Sequence, residues 1–183
     1  MQPAAEKRER LFIGVPLTDD VRQAIARSLP KSLPGKPVPS ENWHFTLRFL
    51  GSTPAVTRDQ IVELLRAATC GAPFSIRFNE LGAFPRPSRA RVLWVGIDEG
   101  AERMIQLAAI AEAAARVAGF EAENRPFKPH LTLSRIDPPV SVAGVISSKP
   151  RFARMIVDSV VLYRSRLGGG PPRYEEVARF LLS

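Results

Sequence analysis

Two short stretches of the chain carry the same four-residue pattern, and this repeat constrains the fold more than any other feature. The first stretch is His44-Phe45-Thr46-Leu47 and the second is His130-Leu131-Thr132-Leu133. The 183-residue chain contains two histidines, and both belong to this H-x-T-L pattern. Because internal repetition indicates repeated structural units, we predict that two similar halves form one domain.

Polar and apolar residues alternate around each copy of the pattern, which is typical of a strand with one buried face. Three polar side chains of the first copy are predicted to share a face: His44, Thr46 and Arg48. Three polar side chains of the second copy are predicted to share a face in the same way: His130, Thr132 and Ser134. Four apolar residues are predicted to lie in the core: Phe45, Phe49, Leu131 and Leu133.

The remaining sequence predicts a mixture of helices and strands. Helices are expected over residues 19–29, 57–68 and 101–118, and strands over 10–17, 74–81, 91–98 and 151–166. Residues 174–182 are expected to form a strand or a short helix, and no role is assigned to the loop Gly168–Pro172. Several adjacent strands lack room for a crossover helix, which favours antiparallel pairing. We therefore predict an α+β fold for residues 1–183, a single domain of two intertwined lobes with mainly antiparallel sheets that face each other across a central cleft and helices outside.

Composition excludes several classes of protein. With 45% hydrophobic and 24% charged residues, the chain is typical of a globular protein with a core. It has no apolar stretch of the roughly 18 to 20 residues that span a bilayer, and residues 1–10 contain no apolar signal segment, so we expect a cytoplasmic protein that does not bind membranes. Cys70 is the single cysteine, which excludes an internal disulfide and leaves too few ligands for a usual zinc site. We expect no metal and no cofactor.

The net charge of +8 comes from 26 lysines and arginines against 18 acidic residues. Arginine suits phosphates and stacks on bases, so this balance favours an anionic partner such as RNA. Composition alone leaves open whether the excess serves binding or only solubility.

Two H-x-T strands beside each other would bring two imidazoles and two hydroxyls to one site, because residues i and i+2 lie roughly 6 to 7 Å apart on one face. Imidazole titrates near 6.5, so one ring can accept a proton while the other donates one. Hydroxyls can bind the non-bridging oxygens of a phosphate. This set suits displacement at phosphorus without a metal. Arg48 could neutralise the phosphate, and Arg135 could do so only if its strand ends, bulges or twists.

Five stretches of the sequence resemble a known family. They are Leu11–Val15, Pro39–Trp43, His44–Gly51, Phe127–Arg135 and Tyr174–Val177. Their order and spacing resemble the 2H phosphoesterases, and within them the bacterial and archaeal RNA 2′,3′-cyclic phosphodiesterases, also called 2′-5′ RNA ligases.

The resemblance implies a bilobal fold with pseudo-two-fold symmetry and metal-free hydrolysis of an RNA 2′,3′-cyclic phosphate to a 2′-phosphate, with reversible 2′-5′ ligation in some members. It also implies that His44 and His130 are catalytic and that Thr46, Thr132 and Arg135 bind the phosphate. By the same resemblance His44 is the acid at O3′ and His130 the base, although the symmetry of the two motifs leaves that order open.

Two other functions stay open from the sequence. The same residues could act on a small cyclic nucleotide or on ADP-ribose cyclic phosphate, or the cleft could bind RNA ends without catalysis. The positive charge and the arginines between Phe84 and Arg91 favour RNA, and the two histidines favour an enzyme. We expect a monomer that acts on RNA with a 2′,3′-cyclic phosphate end or on a related nucleotide.

Overall fold

The structure is a computed structural model that describes residues 8–148 and 153–183. Its strands are β1 (Arg8–Pro16), β2 (Lys36–Pro37), β3 (His44–Pro54), β4 (Phe74–Arg86), β5 (Arg89–Glu99), β6 (His130–Val140), β7 (Arg154–Val157), β8 (Ser159–Arg166) and β9 (Arg173–Leu181). Its helices are α1 (Asp19–Ser28), α2 (Ala55–Ala67), α3 (Ala101–Val117) and the short α4 (Ala143–Ile146), with one 3-10 turn at Ser40–Asn42.

The strands form one continuous sheet in the order β7-β4-β5-β6-β3-β1-β8-β9, with β2 paired to β6. Every pair is antiparallel. The two motif strands, β3 and β6, lie side by side in the middle. On one side β3 is followed by β1, β8 and β9, and on the other side β6 is followed by β5, β4 and β7. The sheet order is therefore symmetric about the β3–β6 pair.

This arrangement confirms the predicted α+β fold with two similar halves and antiparallel pairing. The two halves do not form separate sheets. They join edge to edge into one sheet, where Phe45 of β3 pairs with Leu131 of β6. Strand β8, late in the sequence, lies beside β1 and is followed by β9, so this side of the sheet draws on distant parts of the chain.

The core lies between the sheet and the helices. Fully buried side chains come from β3 (Phe45), β6 (Leu131), α2 (Ile61) and α3 (Met104), and all four belong to one connected apolar cluster. Burying such a side chain stabilises a fold by about 1.5–3 kcal/mol. Because the cluster is shared, the two halves stabilise each other.

Several boundaries differ from the sequence prediction. The Pro- and Arg-rich connection after Phe84 continues the hairpin, since Phe84 pairs with Val92 and Arg86 with Arg89. The strand predicted over 151–166 is two strands, β7 and β8, and residues 149–152 lie outside the described part, as do residues 1–7 of the N-terminal segment. The last segment is a strand. In the described part of the chain, no helix is long and apolar enough to cross a membrane.

Candidate active site

The pairing of Phe45 with Leu131 brings both motifs to one place on the sheet. Both side chains are fully buried, and successive residues of a strand point to opposite faces. The residues on either side of this pair therefore point away from the core. The face of the sheet opposite the core carries four neighbouring polar side chains: His44, Thr46, His130 and Thr132.

The two imidazole rings are held by equivalent hydrogen bonds. Nδ1 of His44 lies 2.7 Å from the carbonyl oxygen of Asn42, and Nδ1 of His130 lies 2.7 Å from that of Lys128. A carbonyl oxygen only accepts, so Nδ1 carries the hydrogen and donates it in both rings. In the neutral state Nε2 is therefore the basic atom of each ring.

The two Nε2 atoms have different partners. Nε2 of His44 lies 2.9 Å from Oγ1 of Thr46, whose hydroxyl donates to the neutral ring. Nε2 of His130 has no hydrogen-bond partner among the described residues. The His130 nitrogen is thus open to a group from solvent or substrate.

Aromatic rings surround both histidines. Phe12 and Tyr174 lie 4.6 and 5.1 Å from His44 between ring centroids. Phe84 lies 5.0 Å from His130, and Trp94 lies 6.3 Å from it. These rings exclude water from the sides of the imidazoles and fix their planes.

Burial shifts the titration of both imidazoles downward. Loss of hydration, together with the positive charges of Arg135 and His130, lowers the pKa of His44 to about 4, although the hydrogen bond to the Asn42 carbonyl acts in the opposite direction. Loss of hydration also lowers the pKa of His130, with Lys128 and Arg135 adding to the effect. Both rings are therefore neutral near pH 7 in the unliganded protein, and an anion between them would raise both pKa values.

Arg135 joins the four motif residues. It is exposed, and its guanidinium has no hydrogen-bond or ion-pair partner in the described part of the chain. Its charge contributes to the lowered pKa values of His44 and His130 and opposes the rise that burial causes in the pKa of Tyr174, so it lies near all three. An unpaired arginine beside two neutral imidazoles is suited to bind an anion.

Arg48 does not join this group, contrary to the alternation predicted from the sequence. The β1–β3 ladder skips a residue after Thr46, and Arg48 therefore pairs with Ile13. Ile13 is fully buried on the helix side. Paired residues share a face, so Arg48 also points to that side, where its Nε donates to Oε2 of Glu112 on α3 at 2.6 Å.

Because of the same bulge, Phe49 also lies on the opposite face of the sheet from the one predicted. We predicted it in the core, but it pairs with Phe12 on the site's face and its ring lies 6.0 Å from the Phe12 ring. It is 59% exposed. The exposed Phe49 ring therefore lies next to the Phe12 ring, which packs on His44.

The H-x-T-L pattern does not include the aromatic neighbours of the histidines, but a second repeat marks two of them, Phe12 and Trp94. Leu11–Val15 reads Leu-Phe-Ile-Gly-Val and Leu93–Ile97 reads Leu-Trp-Val-Gly-Ile. Each stretch lies on the strand beside a motif strand. A Cβ added at Gly14 would lie 2.6 Å from the Phe45 carbonyl oxygen, so this glycine allows the two strands to approach.

A cavity of about 510 Å³ opens beside His44 on the same face. It is lined by polar and aromatic side chains that include Arg22, Asn42, Tyr163, Tyr174 and Arg179. Asn42 donates its side-chain amide to the carbonyl oxygen of Pro172 at 2.7 Å. The last residue of the loop Gly168–Pro172 therefore contacts Asn42, whose carbonyl oxygen accepts the Nδ1 hydrogen of His44.

No group of three or more His, Cys, Asp or Glu residues lies close enough to hold a metal within residues 8–148 and 153–183. Burial raises the pKa of the Cys70 thiol, which keeps it protonated. The groups of the candidate site that can accept a proton near pH 7 include the two imidazoles.

Known proteins resemble the chain in sequence. The family model described as LigT like Phosphoesterase matches residues 15–94 and again residues 95–174. An RNA 2′,3′-cyclic phosphodiesterase of Archaeoglobus fulgidus is 34% identical over 178 residues, covering 93% of this chain and 99% of that protein. One of Geobacillus stearothermophilus is 34% identical over 184 residues, covering 96% of this chain, which spans 58% of the length of that relative.

Solved structures agree with this result. LigT of Escherichia coli in complex with 3′-AMP superposes with a TM-score of 0.82 at 30% identity, covering 97% of this chain and 99% of that one. The apo form of the same protein gives a TM-score of 0.83 at 29% identity.

Proposed function

The chain belongs to the LigT-like phosphoesterase family, and on that premise we propose that it is an RNA 2′,3′-cyclic phosphodiesterase that leaves a 2′-phosphate. The observation that carries the proposal is the pair of imidazoles on adjacent strands, each with Nδ1 bound to a carbonyl and Nε2 as the reactive atom. Several curated relatives are named RNA 2′,3′-cyclic phosphodiesterase.

Hydrolysis needs one base and one acid. We assign the base to His130, because its Nε2 has no protein partner in the described part and can accept a proton from water. The water oxygen bonds to phosphorus as the bond from phosphorus to O3′ breaks. Protonated His44 donates the Nε2 proton to O3′. The proton taken from water ends on His130 and the proton lost by His44 ends on the ribose, so charge and atoms balance.

Binding of the substrate favours the protonated form of the His44 imidazole. The cyclic phosphate carries a negative charge, which raises the low pKa of His44 when it lies beside that ring. In this proposal the Thr132 hydroxyl donates to a non-bridging oxygen, the Thr46 hydroxyl does so once His44 Nε2 is protonated and no longer accepts from it, and Arg135 neutralises the phosphate charge. Because the imidazoles supply both proton transfers, the mechanism requires no metal.

Two features support RNA as the substrate class. The chain carries a net charge of +8, and Phe49 presents an exposed ring on the site's face. The same chemistry also permits ligation. If a 5′-hydroxyl replaces water as the nucleophile, O3′ still leaves and the phosphate remains on O2′, which gives a 2′-5′ linkage.

The test is incubation of the purified protein with an RNA oligonucleotide ending in a 2′,3′-cyclic phosphate, in buffer containing EDTA. The proposal predicts a single product with a 2′-phosphate, which phosphorus NMR separates from the 3′-phosphate. A 3′-phosphate product or a reaction that EDTA abolishes and Mg²⁺ restores would overturn it. Turnover of mononucleotide cyclic phosphates without turnover of RNA would favour the small-nucleotide alternative.

A further inference from the structure

The guanidinium of Arg48 binds three separate groups. Its Nε donates to Glu112 Oε2 at 2.6 Å, its Nη1 to the carbonyl oxygen of Phe49 at 2.8 Å, and its Nη2 to the carbonyl oxygen of Glu121 at 2.5 Å. The side chain is 13% exposed. Arg48 therefore links the His44 strand to α3 and to the chain that follows α3.

Glu112 extends this link. Its second carboxylate oxygen accepts a hydrogen bond from the backbone N–H of Glu123 at 3.1 Å. The Arg48–Glu112 ion pair thus holds the segment after α3 at two points, Glu121 and Glu123.

The segment after α3, residues 121–129, depends on these side-chain contacts because it has little regular backbone hydrogen bonding. Residues 121–129 form no helix or strand, and among the described residues no backbone–backbone hydrogen bond outside regular elements reaches them. Phe120 and Phe127 pack against the core at its two ends, whereas residues 121–126 are exposed. The two contacts from Arg48 and Glu112 therefore fix the exposed middle.

The segment leads directly to His130. It ends with Lys128, whose carbonyl oxygen accepts the Nδ1 hydrogen of His130, and with the buried Pro129. Proline at 126 and at 129 restricts backbone rotation, so the positions of Glu121 and Glu123 limit the conformations open to the stretch that ends at Lys128.

We propose that Arg48 is a positioning residue that, through Glu112 and the segment 121–128, holds the Lys128 carbonyl in place and so fixes the Nδ1–H form of His130. This inference rests on the proposed catalytic role of His130. In this proposal a residue of the first motif strand orients the histidine of the second.

Nitrogen-15 NMR of histidine-labelled protein tests the proposal without any assay of activity. The chain has two histidines, so the spectrum contains two imidazoles and His44 serves as an internal control. We expect both rings of the wild type to be in the Nδ1–H form at pH 7.5. In Arg48→Ala the Nε2–H form should become populated in His130 while His44 stays unchanged.

Kinetics gives the second readout. Arg48→Ala should lower kcat on a mononucleotide 2′,3′-cyclic phosphate by up to about 100-fold with little change in KM, because misplacement of a reacting group by about 1 Å can cost that much. Arg48→Lys keeps a positive charge beside Glu112 but cannot bind all three acceptors at once. A smaller change in the same direction is expected, and retention of the charge favours a folded variant. Arg77→Ala, which breaks the exposed pair with Asp98, should change neither readout.

The outcomes separate the two proposals. An unchanged His130 tautomer in Arg48→Ala and Arg48→Lys, or equal changes in both histidines, would overturn the positioning role. A change confined to His130 in a protein without phosphodiesterase activity would support the positioning role and reject the proposed function.

Discussion

Phe12 and Trp94 hold equivalent positions in the two halves of the molecule, and each packs against one of the two motif histidines. The Phe12 ring lies 4.6 Å from the His44 ring, and the Trp94 ring lies 6.3 Å from the His130 ring. Each aromatic residue lies on the strand next to a motif strand, two residues before a glycine. The candidate active site is therefore built from two copies of one half-site.

The pH dependence of kcat/KM follows from the surroundings of the two imidazoles. Burial lowers the pKa of His44 to about 4 and also lowers the pKa of His130 from its ordinary value of 6.5. One ring must be charged and the other neutral, so activity is highest between the two apparent pKa values, which belong to the pair. We predict a bell-shaped profile centred below pH 6.5.

The profile of kcat should be shifted to higher pH than that of kcat/KM. A bound anionic phosphate favours the protonated rings and raises both pKa values. Initial rates from pH 4 to 9, at limiting and at saturating substrate, give the two profiles. A kcat/KM that still rises above pH 8 would contradict the two-histidine mechanism.

Replacement of Phe49 tests whether the exposed ring binds a base. Stacking of a base on an aromatic side chain contributes about 1–3 kcal/mol, so Phe49→Ala should lower kcat/KM for adenosine 2′,3′-cyclic phosphate about 5- to 150-fold. Phe49→Tyr should retain most of the activity. Glycerol 1,2-cyclic phosphate has no base and should react equally with all three proteins.

The control for that replacement is Val56→Ala, which shortens another exposed apolar side chain, on α2. It should leave both substrates unaffected. An equal loss on the base-free substrate in Phe49→Ala would mean that Phe49 supports the structure instead of binding a base.

Two arginines at the turn between β4 and β5 are expected to contact RNA beyond the reacting nucleotide. Arg86 and Arg89 pair across this turn and are exposed. Each phosphate contact to single-stranded RNA contributes about 0.7 to the slope of log affinity against log salt, so the double alanine variant should reduce the slope by up to about 1.4. Fluorescence anisotropy with a labelled oligonucleotide measures it.

The matched control removes the same charge elsewhere. Arg27→Ala with Arg116→Ala takes two exposed arginines from α1 and α3, on the helix side of the sheet. This variant should retain the wild-type slope. Equal slopes for the wild type and the Arg86/Arg89 variant would place the RNA contacts elsewhere.

The sequence predicted the two motif strands because their alternation is a local property. Phe45 and Leu131 are buried as expected, and His44, Thr46, His130 and Thr132 share a face. The repeat also predicted the two similar halves. These features depend on residues that are neighbours in the sequence.

The faces of the sheet on which Arg48 and Phe49 lie could not be predicted from the same alternation. Their faces depend on how β3 pairs with β1, where a skipped residue after Thr46 reverses the alternation. The bonds from Nδ1 to the carbonyls of Asn42 and Lys128 depend on backbone turns before each motif, which the side-chain pattern does not encode.

The central claim is that His44 and His130 together carry out the hydrolysis, and the rates of their single variants test it most directly. General acid or base assistance contributes about 10²- to 10⁴-fold, so His44→Ala and His130→Ala should each lower kcat/KM on the cyclic-phosphate RNA by that factor while circular dichroism shows the native fold. Thr46→Ala and Thr132→Ala should lower it less. Near wild-type turnover in either histidine variant would contradict the account.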